Sequence, residues 1–243
     1  METLDTYLQA RYLPAPQFAA ACGVSPRSLA GLLEDGLVPR PAYVVTGNGV
    51  LVSAAFGEMP AEAATPGEYH HPRHAAWVAL ALRLRETAVA DEARAGIEQR
   101  FRSRFASALS VLDRNLHRLA DSFDDAGHPI REGLDQRSGT AWTHFINGVY
   151  GVCVADPSNE AAIARKEILQ EALGGIVANG ALAHFIRDAA PRARQLVEQY
   201  SAATMPFSPP EYPHSSRRRL VDDLRAQLAM PAPRTRHERR RMG

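Results

Sequence analysis

The sequence predicts a mainly α-helical protein, in which an N-terminal helix-turn-helix-like unit with a small β-hairpin precedes an all-α helical body. Three observations support this fold class. Apolar residues recur at helical spacing between residues 97 and 119. The sequence Gly-Val-Ser at 23–25 separates two short apolar segments and is typical of a helix end followed by a helix N-cap. The sequence Gly-Asn-Gly at 47–49 lies between two runs rich in β-branched residues, which indicates a hairpin.

Composition divides the chain into three regions. Residues 1–60 form the predicted N-terminal unit, and residues 61–230 form the predicted body. Residues 231–243 carry five arginines and one glutamate, so this segment is predicted to be a basic disordered tail. Two stretches without helical periodicity, 57–68 and 124–139, are predicted to be loops.

Bulk composition argues against several classes of function. The 243 residues are 45% hydrophobic with a formal net charge of +1, so no global field draws the chain to nucleic acid or to a membrane. No apolar run approaches the ~20 residues that span a bilayer, so no membrane partner is expected. Two unpatterned cysteines are typical of the reduced cytoplasm. The sequence motifs of nucleotide-binding loops, serine hydrolases and zinc proteases are absent.

The segment from residue 139 to residue 155 contains no charged side chain, although a surface helix normally carries charge on its outer face. One face of the predicted helix is apolar and includes Trp142, and the other includes His144, Asn147 and two glycines. We therefore expect both faces to be covered, with the glycines permitting a close approach and with His144 and Asn147 either buried or lining a cavity. His144 is either a core histidine with satisfied hydrogen bonds or, beside the Tyr150 hydroxyl, an acid, base or ligand in a pocket wall.

A second helix is predicted after the cap sequence Asp156-Pro157, and its charges are unusually arranged. Glu160, Glu167 and Glu171 align on one side, where helices exposed only to solvent normally interleave opposite charges. This stripe either meets an arginine-rich face elsewhere in the chain or holds a cation or an amine substrate.

Lys166 is the one lysine among 28 lysine and arginine residues, a bias typical of GC-rich bacterial coding sequences. It is either a solvated surface residue or a residue kept where an ammonium is needed. It leans towards the apolar side of its helix, where burial would lower its pKa and make a Schiff base conceivable. The candidate catalytic residues are therefore His144, Asn147, Tyr150 and Lys166, and the candidate substrate-binding residues are Trp142, Glu167 and Glu171.

Three histidines in five residues, His70, His71 and His74, invite a metal-site hypothesis. The first two precede a predicted helix and the third lies inside it, and no nearby cysteine or carboxylate completes a ligand set. His71 and His74 are accordingly weak metal candidates. The alternative is a helix start with partly exposed imidazoles, and the residues indicate no particular cofactor.

The order FAAACGVSPRSLAGLLEDGLVPRP, followed by the hairpin, resembles the N-terminal winged helix-turn-helix domain of MerR-type regulators. The resemblance implies DNA binding through the helix at 26–35. That segment brings Arg27 and Ser28 but also Glu34 and Asp35, whereas a helix that enters the major groove normally carries more positive charge. Nucleic acid is therefore an alternative partner that the charges do not favour.

Four segments also occur in a recognisable order: VPRPAYVV…VSAAFGE, YHHPRHAAWV, WTHFINGVYGVCVADPSNEAAIARKEIL and PFSPPEYPHSSRRRLVDDLR. Together they resemble a bacterial family of unknown function labelled "natural product biosynthesis protein". The resemblance implies a stand-alone protein that works beside biosynthetic enzymes, and it implies no catalytic residues. In the family pattern an aromatic stands at the position of His70, which favours His71 as the metal candidate.

We therefore expect a cytoplasmic protein of bacterial natural product biosynthesis that binds or transforms a small molecule in a pocket of its helical body. A MerR-like transcriptional regulator is one alternative. A non-catalytic partner of a biosynthetic enzyme is the other.

Overall fold

The structure, a computed structural model, describes residues 2–61, 63–178 and 190–229. Within these ranges the chain is mainly helical, as predicted, and it also contains a five-stranded antiparallel sheet. Each described helix is too short or too polar to cross a bilayer. The predicted basic tail at 231–243 lies outside the described residues.

Three short helices and five strands make up the first 70 residues. The helices are α1 (Leu4–Arg11), α2 (Ala15–Ala21) and α3 (Pro26–Glu34), and the strands are β1 (Leu13–Pro14), β2 (Tyr43–Val45), β3 (Val50–Ser53), β4 (Gly57–Pro60) and β5 (Gly67–His70). The strand order is β1-β5-β2-β3-β4, and every pair is antiparallel. The predicted hairpin is confirmed as β2 and β3, which place Val45 opposite Leu51 across the Gly-Asn-Gly turn.

Helices α2 and α3 lie where the sequence predicts them. Gly23 follows α2 with a φ of 70°, a conformation that glycine adopts without steric cost. Ser25 caps α3, because its hydroxyl accepts a hydrogen bond from the Ser28 amide at 3.0 Å. These local features confirm two short helices and a turn, and they do not by themselves establish a DNA-binding helix-turn-helix.

Seven helices follow in the described part of the body. They are α4 (Ala75–Arg85), α5 (Ala90–Leu112), α6 (Arg131–Ile146), α7 (Val149–Cys153), α8 (Glu160–Ala178), α9 (Ala190–Ala203) and α10 (Asp223–Ala229). Helix α5 packs against α6 and α8, and α8 packs against α9. One hydrophobic core runs from the sheet to α8, and a second core lies between α8, α9 and α10.

The structure corrects three sequence-based expectations. Residues 57–68 supply β4 and the start of β5, because backbone pairing with β3 and β2 satisfies their polar groups despite the Pro/Gly-rich composition. Helix α6 begins at Arg131, inside the loop predicted at 124–139. The single helix predicted from 139 to 155 is divided into α6 and α7. The predicted boundary at residue 60 stays a prediction.

The break between α6 and α7 lies where the chain touches the N-terminal region most closely. Gly148 has a φ of 82°, and a Cβ there would lie 2.6 Å from the Arg40 oxygen and 2.8 Å from the Pro41 oxygen. The Arg40 amide donates a hydrogen bond to the Ile146 oxygen at 3.0 Å. The close approach predicted for the two glycines of this segment is therefore present, and it joins the sheet region to the helical body.

Replacing Gly148 with alanine is expected to lower the free energy of unfolding by at least about 2 kcal/mol, because the new Cβ meets two carbonyl oxygens in a left-handed backbone conformation. Urea denaturation followed by circular dichroism measures the change. Gly174→Ala is the matched control. Nothing lies within 4 Å of a Cβ at that site inside α8, so this variant should gain about 0.5–1 kcal/mol. Equal stability of Gly148→Ala and the wild type would contradict this account.

Candidate functional site

A cavity of about 130 Å³ lies between α5, α6, α7 and α8. It is lined by Phe105, Leu109, Arg137, Thr140, Ala141, His144, Tyr150, Glu167 and Ile168. The four residues from α6 share one helix face, because they follow the spacing i, i+3, i+4, i+7. Three of the residues predicted from the sequence, His144, Tyr150 and Glu167, meet at this cavity.

Tyr150 brings a hydroxyl group to the cavity from α7. The side chain is 1% exposed, and its hydroxyl has no hydrogen-bond partner among the described residues. Burial raises the pKa of this phenol well above its ordinary value, and the nearby Glu167 charge acts in the same direction. The hydroxyl therefore stays protonated and is able to donate a hydrogen bond to a group inside the cavity.

Lys166 and Glu167 form an ion pair beside the cavity. The lysine is 3% exposed, and its Nζ donates a hydrogen bond to Glu167 Oε1 at 2.9 Å. Burial alone lowers the pKa of Lys166, but the Cys153 sulfur and the Glu167 carboxylate outweigh it, so the pKa lies above its ordinary value. The expectation of a lowered lysine pKa is wrong, and a protonated amine has no lone pair with which to form a Schiff base.

Glu167 has a second carboxylate oxygen with a different environment. Its Oε2 atom receives no hydrogen bond from the described residues, whereas Oε1 is held by Lys166. The side chain is 31% exposed and lines the cavity. Glu167 and Tyr150 therefore both line the cavity, and each carries an oxygen without a hydrogen-bond partner among the described residues, an acceptor in Glu167 and a donor in Tyr150.

Arg137 organises the rim of the cavity. Its guanidinium binds Glu171 with contacts of 2.7 and 3.1 Å and Asp121 with contacts of 2.8 and 3.0 Å. The hydrogen bonds to Glu171 raise the pKa of Arg137 above its ordinary value, with Asp121 adding to the effect. His117 Nε2 lies 3.7 Å from Glu171 Oε1. Both carboxylate oxygens of Glu171 are thus bound within this ionic network at the rim.

The glutamate stripe of α8 meets arginines, as the first of the two interpretations expected. Glu160 lies 3.2 Å from Arg100, and Glu171 binds Arg137. Glu167 differs from both, because its partner is the adjacent Lys166 and one of its oxygens faces the cavity. Only the middle member of the stripe is therefore positioned to contact a ligand in this cavity.

Trp142 and Asn147 lie outside the cavity, as do Lys166 beside it and Glu171 at its rim, and His144 stands at its opening. Trp142 is half-buried and packs its ring on Phe101 and Phe145. Asn147 is exposed and ends α6, with its amide donating to the Thr143 oxygen at 2.9 Å. His144 is also exposed, with its ring edge-on to Tyr150 at 6.0 Å between centroids. His144 lines the cavity, which is one of the two environments expected for it, whereas Asn147 is neither buried nor part of the lining, because the break at residue 148 leaves the end of α6 at the surface.

The three histidines at the end of β5 are buried and not partly exposed. His71 Nδ1 accepts a hydrogen bond from the Arg73 amide, and the ring of His70 stacks on Phe18. The ring nitrogens of His70 and His74 have no hydrogen-bond partner among the described residues. Within residues 2–61, 63–178 and 190–229, no group of three or more histidine, cysteine or carboxylate side chains is arranged to hold a metal ion.

A buried tyrosine–glutamate network joins the N-terminal region to the segment after α9, and no clear feature of the sequence predicts it. Tyr43 donates a hydrogen bond to Glu211 Oε2 at 2.7 Å, and the Ser208 hydroxyl donates to the same oxygen at 2.6 Å. Tyr7 donates to the Pro206 oxygen at 2.6 Å, and Tyr12 donates to the oxygen of Gly151. The one indication of this network in the sequence is a glutamate inside a proline-rich stretch. Its tyrosine partner, Tyr43, lies more than 160 residues away.

Sequence reasoning also missed Arg137 and Thr140 of the cavity wall, since both fell near or within the predicted loop at 124–139. Their signal was present in the sequence. Residues 137, 140, 141 and 144 have the spacing of one helical face. Because these positions are surrounded by glycines and polar residues, they do not produce a pattern of apolar periodicity.

The fold and the cavity define a mainly helical protein with a small cavity, lined by apolar and polar side chains, between four helices. Residues 97–229 match the family described as "Family of unknown function (DUF6058)", and the match covers more than half of the chain. The chain therefore belongs to that family. No curated protein and no solved structure matches it. All nine residues that line the cavity lie inside the matched range.

The buried histidines predict a loss of stability in acid. Burial lowers the pKa of His70 to about 4 and that of His71 to about 4, from an ordinary value of 6.5. Between pH 6.5 and pH 4 the unfolded chain therefore binds more protons than the folded chain, so the free energy of unfolding falls as the pH falls. We expect a loss of about 2–3 kcal/mol for each histidine by pH 4, measured by denaturant titration at several pH values.

His70→Phe tests this account, because phenylalanine preserves the stack on Phe18 and removes two unpaired ring nitrogens. The variant should match or exceed the wild type at pH 7 and lose less stability in acid. His214→Gln, at an exposed histidine, should leave the pH dependence unchanged. If His70→Phe kept the full wild-type slope, His70 would not be one of the groups that take up protons on unfolding.

Proposed function

We propose that the protein binds a small polar molecule, or the polar end of a larger one, in the cavity between α5, α6, α7 and α8. The observation that carries the proposal is Tyr150, a residue of the cavity lining whose buried hydroxyl has no partner among the described residues. Leaving such a group unpaired costs about 1–3 kcal/mol. A ligand that accepts its hydrogen bond would recover this energy.

The dimensions of the cavity limit what enters it. A volume of about 130 Å³ is close to that of cavities which hold a molecule of about six non-hydrogen atoms. Thr140 and His144, both exposed, stand on the lining and leave one side open to solvent. A longer molecule is therefore able to place one end inside while the rest lies over the end of α6.

The roles follow from position. Tyr150 donates or accepts a hydrogen bond, Glu167 accepts one through Oε2, and His144 at the opening is able to give or take a proton. Lys166 is a positioning residue that holds Glu167. Work beside bacterial biosynthetic enzymes, which the sequence resemblance implies, is the setting that we propose for this binding. A chemical transformation would need a proton relay, and His144 facing Tyr150 is the pair that we propose for it.

The two alternatives receive less support from the described surface. The exposed side of α3 combines Arg27 with Glu34 and Asp35, a mixed charge that does not favour the phosphate backbone of DNA. The large exposed apolar side chains, Val89, Val111, Ile130 and Tyr212, belong to four separate segments of the described chain.

Tyr150→Phe separates binding from folding. Because the hydroxyl has no partner among the described residues, its removal should leave the free energy of unfolding unchanged or raise it by about 1 kcal/mol. Tyr200→Phe is the matched control. Tyr200 is also buried, but its hydroxyl donates a hydrogen bond to Gln170 and shares a second one with the Ser216 hydroxyl, so that variant should lose about 1 kcal/mol. Thermal and urea denaturation of the full chain measures both.

Binding itself is measured by nuclear magnetic resonance with a panel of amines, alcohols and carboxylates of four to seven non-hydrogen atoms. At least one class should shift the amide signals of Thr140, His144 and Ile168, with a Kd on the order of 1 mM for ligands of this size. Ala141→Leu, which fills the cavity, should abolish the shifts. The proposal fails if no compound shifts these signals, or if Ala141→Leu binds as the wild type does.

A further inference from the structure

We infer that Asn48, in the turn between β2 and β3, is a site of deamidation that needs no enzyme, and that the fold protects the same dipeptide at Asn147. The inference is independent of the proposed function. In each case a glycine follows the asparagine. Because glycine has no side chain, its backbone nitrogen approaches the preceding side chain without steric hindrance. A further Asn-Gly pair, at 179–180, lies outside the described residues.

The reaction needs water as its one co-reactant. The Gly49 backbone nitrogen attacks Cγ of Asn48 and loses its proton, the bond from Cγ to Nδ2 breaks, and the side-chain nitrogen leaves as ammonia. Water then opens the resulting cyclic imide at one of its two carbonyl groups. Opening at one side gives aspartate, and opening at the other gives isoaspartate, in which the main chain runs through the former side chain. Either product adds a negative charge to the turn.

The two sites share most of their local features. Both asparagine side chains are exposed, and the glycine that follows has a positive φ in both, 77° at Gly49 and 82° at Gly148. Each glycine nitrogen donates a hydrogen bond to the carbonyl oxygen three residues earlier, at 3.2 Å for Gly49 and 3.0 Å for Gly148. In both turns the nitrogen must leave this hydrogen bond before it attacks, so the free energy of local opening sets the relative rates.

Opening at residue 148 disrupts a packed junction. Gly148 is buried, and a Cβ on it would lie 2.6 Å from the Arg40 oxygen and 2.8 Å from the Pro41 oxygen. The Asn147 side-chain nitrogen, which is the leaving group of the reaction, donates a hydrogen bond to the Thr143 oxygen at 2.9 Å. Deamidation of Asn147 therefore requires the helical body to lose its contact with the sheet region.

Opening at residue 49 leaves the core in place. Gly49 is exposed, and the nearest atom to a Cβ on it, apart from its chain neighbours, is the Ala61 oxygen at 3.9 Å. The Ala61 amide donates a hydrogen bond to the Gly49 oxygen at 2.9 Å, which leaves the reacting nitrogen of Gly49 outside this contact. The paired residues of β2 and β3 begin at Val45 and Leu51, beyond the turn. Because exposed turns open at a lower free-energy cost than packed elements, the Gly49 nitrogen reaches a reactive conformation more often.

The Asn48 side chain is held in a way that favours attack at Cγ. The Thr46 hydroxyl donates a hydrogen bond to Asn48 Oδ1, and the Val50 oxygen, at 3.1 Å, is a second acceptor for the same proton. A donor at Oδ1 polarises the carbonyl group and stabilises the negative charge that develops on this oxygen during attack. At Asn147 the hydrogen bond is made by the side-chain nitrogen instead, which gives no such stabilisation.

The test follows both sites in the full chain during incubation at mildly alkaline pH. Mass spectrometry of proteolytic peptides detects the mass gain of an amide that becomes an acid. We expect Asn48 to convert at least tenfold faster than Asn147 in the folded protein. In guanidinium chloride the two rates should agree within threefold, because the unfolded chain presents the same Asn-Gly chemistry at both sites.

Gly49→Asn tests the mechanism. Asparagine tolerates the left-handed conformation at this position, so the turn should be kept, while the new side chain hinders attack by the backbone nitrogen of residue 49. Conversion of Asn48 should slow at least fivefold, and conversion of Asn147 in guanidinium chloride should stay unchanged. Circular dichroism checks that the variant folds.

Each contrary result overturns the inference. Comparable rates at Asn48 and Asn147 in the folded protein would show that packing at Gly148 gives no protection. Absence of conversion at Asn48, while the unfolded chain converts, would show that the turn is closed to the reaction. An unchanged rate at Asn48 in Gly49→Asn would exclude attack by the nitrogen of residue 49.

Discussion

The structure depends on one backbone contact, in which residue 148 packs against the backbone of residues 40 and 41. Gly148 permits this contact because it has no Cβ and adopts a positive φ at no cost. The contact ends α6, turns the chain into α7 and brings the Gly151 oxygen within 3.1 Å of the Tyr12 hydroxyl. The direction in which Tyr150 points is therefore set by the N-terminal region, although Tyr150 belongs to the helical body.

Buried polar groups divide into two kinds in this molecule. Tyr43, Glu211 and Ser208 satisfy one another in the contact between the sheet and the segment after α9. Such a network is cooperative and fixes the relative position of the elements it joins. Tyr150 differs because its hydroxyl is equally buried and has no partner among the described residues. Folding alone does not account for a polar atom that costs free energy, and the ligand binding that we propose would offset this cost.

Local signals in the sequence predicted local structure well. The cap at Ser25, the hairpin at 47–49 and the helical spacing from Ile97 onwards all describe interactions within a few residues of each other. The predictions failed where a structural element depends on residues that are distant in the sequence. Strands β4 and β5 owe their existence to partners in β3 and β2, and the break at residue 148 is caused by a contact more than 100 residues away.

The candidate site shows the same limit. The absence of charge between residues 139 and 155 correctly indicated a close approach at the two glycines, and Tyr150 is buried beside a cavity. The same argument placed His144 and Asn147 in the interior or on a cavity wall, and of the two only His144 lines the cavity. A helical wheel assumes one continuous helix. The break at Gly148 rotates α7 relative to α6, so side chains before and after it face different surroundings.

The structure gives a physical reason for a lysine at position 166, which composition alone does not provide. Lys166 is buried, and its ammonium is a compact charge that fits beside Glu167 and Cys153. A guanidinium at this position would need more volume and would seek both oxygens of the carboxylate. It would then occupy Glu167 Oε2, the atom that faces the cavity. A lysine that uses one oxygen leaves the other available, so the choice of lysine over arginine preserves the acceptor on which the proposed site depends.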